Sequence, residues 1–106
     1  MRKNYDKLIR DKIPDIIRAE GRTCFVESMS EKDYLDALLE KLVEEATEAR
    51  NADAQHLLTE LADLFEVMLS IVAAQGAEWK SIAQIQEARR AERGGFEKRL
   101  RLLWVE

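Results

Sequence analysis

Residues 31–75 read EKDYLDALLEKLVEEATEARNADAQHLLTELADLFEVMLSIVAAQ, and the rest of the chain is organised around them. Leu35, Leu38, Leu39, Leu42, Ala46 and Ala49 recur at three- and four-residue spacing, as do Leu57, Leu61, Leu64, Phe65, Met68 and Val72. That period predicts two amphipathic helices, 31–50 and 54–75. NADA, residues 51–54, is too short to do anything but turn the chain back, so the helices form an antiparallel hairpin. Ser30 and Asp33 resemble a capping box with Asp in place of Glu or Gln, Asp53 can cap the second helix, and Gly76 ends it.

Outward from the hairpin, Lys12–Ala19 reads as a short helix with Asp11 as its cap, Pro14 in its first turn and Gly21 as its stop. A fourth helix runs from Trp79 or Ser81 to Arg93, before Gly94–Gly95. RTCFVES, residues 22–28, is β-favouring, and the tail is β-compatible, so 22–28 can pair with 98–105. The expected fold is mainly α: one domain over 1–106, about four helices around the 31–50/54–75 hairpin, a two-stranded ribbon beside them, and oligomerisation to complete the core.

Composition agrees with a helical domain. The chain has 106 residues, 46% hydrophobic and 36% charged, with only four glycines and one proline to make turns. No segment reaches the roughly 18 apolar residues of a membrane span, and the polar start MRKNYDKLIRDK lacks a signal-peptide core. With a single cysteine, Cys24, no internal disulfide is available, and a reducing cytoplasm is the expected location. Net charge is −4, and it is unevenly spread. Residues 1–22 hold seven Lys/Arg against four acids, 80–101 hold seven against three, and 42–79 hold one, Arg50, against eight. An acidic centre of that kind repels phosphate, so nucleic acid is not the expected partner.

The acids are the informative residues. On the second helix Glu45 lies roughly 80° from the apolar stripe and Glu48 roughly 140°; on the third, Glu60 and Asp63 take similar offsets on the corresponding flank. Glu45 and Glu60 stand at nearly the same height about the turn, so the hairpin brings four carboxylates together. Each like-charge pair at about 4 Å repels by roughly 4 kcal/mol at an effective dielectric near 20. The positions four residues downstream are Ala49, Ala52, Leu64 and Val67, none cationic. A hard divalent cation would relieve the repulsion, and all-oxygen ligation favours Mg²⁺, with Mn²⁺ as a substitute.

EExxE followed by ExxD on the next helix, here Glu44-Glu45-Ala46-Thr47-Glu48 and Glu60-Leu61-Ala62-Asp63, resembles the MazG-like all-α nucleoside triphosphate pyrophosphohydrolases, relatives of phosphoribosyl-ATP pyrophosphohydrolases and all-α dUTPases. KLIRDKIPDII (7–17) and RGGFEKR (93–99) look like a short stand-alone subgroup of that superfamily. The resemblance implies a Mg²⁺-dependent hydrolase that cuts a nucleoside triphosphate between its α- and β-phosphates, giving monophosphate and pyrophosphate. By position it implies Glu45, Glu48, Glu60 and Asp63 as metal ligands and Glu44, Glu45 and Glu48 as the catalytic acids. Glu44 faces away from the shared flank by helical angle, and Glu66 continues the acidic row. Lys41, Arg10, Lys12, Arg93 and Arg99 are the candidate phosphate-binding residues.

Other residues have plainer readings: His56 caps or meets solvent, Cys24 lies in strand or core, and Trp79, Trp104 and Met68 pack. The third helix is apolar beyond one stripe, through Leu58, Val67 and Leu69, which predicts a homo-oligomer, a dimer first. Two rival readings remain: a non-catalytic helical module that docks proteins through its acids, and the same fold acting on phosphoribosyl-ATP.

Overall fold

A computed structural model describes residues 2–106. Four helices follow one another: α1 (Ile13–Ala19), α2 (Glu31–Asn51), α3 (Leu57–Ala74) and α4 (Trp79–Arg93). α2 and α3 form the expected antiparallel hairpin and carry most of the tertiary contact, while α4 packs on α3. No helix is long and apolar enough to cross a membrane.

The helix ends follow local chemistry. Ser30 Oγ accepts the Asp33 N–H at 3.2 Å and caps α2. α3 starts at Leu57, three residues later than the pattern suggests. Asp53 holds the intervening turn, its carboxylate accepting the His56 N–H at 2.9 Å and its carbonyl accepting the Leu57 N–H at 3.0 Å. Gly76, at φ 69°, closes α3: its N–H reaches Ala73 O at 2.9 Å and the Ala77 N–H reaches Val72 O at 3.1 Å. Those paired bonds satisfy carbonyls that a helix end otherwise leaves open, and the geometry needs a left-handed residue. Asp11 does not cap α1; Lys12 occupies that position without a side-chain bond.

The expected ribbon is not formed within this chain. Residues 22–28 and 98–105 have no regular structure, and no strand occurs among the described residues. Two strands with no sheet or helix beneath them are marginal, and Phe25 is 94% exposed.

The seam between α2 and α3 overlaps the expected one in part; Leu35, Met68 and Val72 are half-buried as expected. The residues that line it are Leu38, Leu42, Glu45 and Ala49 on α2, and Glu60, Asp63, Leu64, Val67 and Ile71 on α3. Each set keeps helical spacing, so each is a single face. Leu39, Ala46, Leu61 and Phe65, expected inside, are exposed, while Val67 is among the most buried residues. The acids therefore lie in the packed seam, not at its margin. The more apolar stripes, Leu39–Val43–Ala46 and Leu58–Leu61–Phe65, face outward.

Burial in the single chain is slight. Only Leu38, Ala49 and Val67 count as core among the described residues. The radius of gyration is 18.5 Å, against about 13 Å for a compact chain of this length. The accessible surface is 10056 Å², against about 6,100 Å² for a folded monomer of this mass.

Candidate metal centre

The turn between α2 and α3 is short, so the turn-proximal half of each helix faces the other at a common height. Glu45 on α2 and Glu60 and Asp63 on α3 meet there, one carboxylate oxygen of each lying within 4.8 Å of the others. All three are half-buried. Glu45 Oε2 and Glu60 Oε2 are buried without a hydrogen-bond partner. A buried carboxylate oxygen left in that state costs stability, more so beside another anion.

Glu48 lies on the other side of Glu45. Burial first, then the neighbouring Glu48 charge, push the Glu45 carboxyl above its ordinary range; Lys41 pulls the other way and Asp63 adds a smaller push. Glu48 and Glu60 also line an open depression of about 410 Å³ with Thr47, Asn51, Ala52, Asp53 and His56. Glu44 turns toward solvent, its carboxylate 4.0 Å from Lys41 Nζ. Glu66 is exposed.

The acids are not left without cations, although none stands four residues downstream. Lys41 Nζ lies 3.8 Å from Glu45 Oε1, one turn upstream. Arg10 Nη2 donates to Asp63 Oδ1 at 2.9 Å, from 53 positions away. The Lys41 signal was visible as KxxEE; the Arg10 contact depends on how residues before α1 cross the hairpin, and no local pattern encodes that. Lys12, Arg93 and Arg99 make no ion pair among the described residues. Arg93 ends α4, and Arg99 sits in the exposed segment beyond it.

Neighbouring residues that sequence reasoning set aside form a polar rim. His56 Nδ1 lies 2.7 Å from Asp53 Oδ1, and both line the depression with Asn51 and Thr47. Capping explains the backbone bond of Asp53, as expected, while the imidazole contact places His56 over the same hollow as Glu48 and Glu60. Cys24 is half-buried, its Sγ 3.9 Å from Pro14 O.

The donor set fits a hard cation. Mg²⁺ holds oxygens at about 2.0–2.1 Å, so its ligands stand at most about 4.2 Å apart, and small side-chain adjustments close three carboxylates from 4.8 Å to that span. The two orphaned oxygens would gain a partner. Acidic groups also converge without an ion, and here Arg10 and Lys41 already meet two of them.

Comparison with known proteins adds a partial likeness. A protein of Mycolicibacterium smegmatis, described as uncharacterized, is 47% identical over 49 residues, 46% of this chain and half of that protein's length. No protein-family model matches the chain, and no solved structure matches it.

Proposed function

We propose that the chain is a Mg²⁺-dependent nucleoside triphosphate pyrophosphohydrolase of the MazG-like type, cutting between the α- and β-phosphates and working in the cytoplasm as a homodimer. The observation that carries the reading is the convergence of Glu45, Glu60 and Asp63, with two buried carboxylate oxygens unpartnered. Glu45, Glu60 and Asp63 would hold the ion, and Glu48 would join them from the edge of the hollow. When bound, Mg²⁺ supplies charge neutralisation at the phosphate oxygens and a more acidic water. Glu48, which lines the open depression one turn from Glu45, would orient that water. Arg10 and Lys41 would turn from the carboxylates to the triphosphate, because a cation between the acids displaces them electrostatically while phosphate attracts them. Thr47, Asn51 and His56 offer hydrogen bonds to the part of the substrate beyond the phosphates.

The Arg10–Asp63 and Lys41–Glu45 pairs favour a second reading. Acids already matched by internal bases can serve as a non-catalytic docking face. A panel of standard, deoxy and damaged nucleoside triphosphates and phosphoribosyl-ATP, assayed for pyrophosphate with and without Mg²⁺, separates the two. Release that requires Mg²⁺ supports the enzyme. No release from any substrate by folded protein supports the docking face. Glu48→Gln and Asp63→Asn are each expected to lower turnover by about a hundredfold or more, with helical circular dichroism retained.

A further inference from the structure

We propose that residues 96–105 form an arm that the α2–α3 hairpin of a second copy of this chain receives. The arm is apolar and touches almost nothing of its own chain. Phe96, Leu100, Leu102, Trp104 and Val105 are 71–96% exposed. Its anchor points away from the hairpin: α4 meets α3 through Trp79 and Phe65, with ring centroids 4.9 Å apart, and is exposed from Gln84 onward. The exposed Arg90–Glu97 ion pair spans the exit across Gly94–Gly95. An added side chain on Gly95 would meet only the flexible ends of Arg90 and Glu97, so the pair lies over the turn without locking it.

The receiving surface is the outward face of the hairpin. On α3 the stripe Leu58–Leu61–Phe65 lies roughly 150° from the seam, and on α2 Leu39–Val43–Ala46 lies roughly 100° from it. By helical angle both turn to the same side. Leu58 is 80% exposed and Val43 66%, each far from typical of a helix interior. Apart from Phe65, which Trp79 partly covers, arm and face are therefore two unpartnered apolar features of one sequence, and a second copy supplies each with the other. Charge agrees. The arm and its root carry Arg93, Lys98, Arg99 and Arg101 against Glu97, which Arg90 meets, and the face is flanked by Glu40, Glu66 and Asp36, the last paired with Lys32. The area points the same way: each chain exposes about 4,000 Å² more than a folded monomer of its mass, and an obligate dimer interface covers roughly 1,000–2,500 Å² of each chain, so a second copy would cover part of that excess. The inference is independent of metal binding and turnover.

Four measurements on the full chain decide it. Light scattering after gel filtration should give twice the chain mass. In Trp79→Phe, Trp104 is the sole tryptophan, and its emission should be blue-shifted and shielded from quencher. In Cys24→Ser protein, mixing Val43→Cys with Leu102→Cys copies should give a cross-link between chains. Leu102→Asp with Trp104→Asp should raise the dimer dissociation constant at least roughly tenfold, with helical signal kept at concentrations where dimer still forms and lost only in step with dissociation. A monomer at working concentration overturns the proposal. So does a dimer whose Trp104 is as quenchable as free tryptophan, or a disulfide between positions 43 and 102 that forms only within one chain carrying both Val43→Cys and Leu102→Cys.

Discussion

Glu45 is a carboxylate held in a helix–helix seam, with its side chain 13% exposed and one oxygen unpartnered. Burial and the neighbouring Glu48 raise its pKa in the folded chain above the unfolded value. Stability then falls as pH climbs from the unfolded pKa through the raised folded one, because the folded state must give up a proton that it holds more tightly. Metal-free protein should therefore melt at a higher temperature under mildly acidic conditions than at neutral pH, as far as this residue is concerned. Glu45→Gln should flatten that dependence in EDTA and raise the metal-free melting temperature. It should also reduce any stabilisation by Mg²⁺, which scanning calorimetry with and without the ion would read. The approach of Glu45, Glu60 and Asp63 was legible from helical angle and turn length, whereas Glu48, expected with them, is exposed and outside that group. The acids' degree of neutralisation was not legible, because Lys41 reaches forward along α2 from one turn upstream, and Arg10 arrives from a segment without periodic structure.

At the level of the element, ends were easier to read than faces. Ser30 and Gly76 carry their chemistry locally: a side-chain oxygen beside an open N–H, and a residue free to adopt positive φ. Ser30→Ala should cost about 1 kcal/mol, measured by urea unfolding. Gly76→Ala should cost about 1–2 kcal/mol from the backbone alone, since an added Cβ meets nothing within 4 Å. The face of α3 was harder. Counting apolar residues selects Leu57, Leu61, Leu64, Phe65, Met68 and Val72; of these Leu64, Met68 and Val72 are half-buried, while Leu57, Leu61 and Phe65 are exposed and the hairpin adds Val67 and Ile71 together with Glu60 and Asp63. Hydrophobicity ranks stripes by how much they gain from burial, but it does not say which partner buries them. A helix with two apolar faces leaves that choice to the assembly. The same ambiguity affected α2, where Ala46 belongs to the outward stripe and Ala49 to the seam.

For the whole molecule, three buried side chains cannot hold four helices together. Burying a large apolar side chain contributes roughly 1.5–3 kcal/mol, and the ordering of each residue opposes folding by about 1–2 kcal/mol. In the proposed dimer a second copy would supply the missing apolar contact, and the melting temperature should then rise with protein concentration, as mass action requires when folding and association are linked. A melting temperature unchanged over a wide dilution series would count against that linkage. The Arg10–Asp63 bond ties residues before α1 to the hairpin across most of the intervening sequence. Both groups are partly exposed, so this tie behaves as a latch whose grip depends on the medium. Added salt screens it, and a divalent ion competing for Asp63 releases it outright. Backbone amides of residues 3–12 should then exchange with deuterium faster in either condition, which would let occupancy of the acidic seam be followed from the far end of the chain.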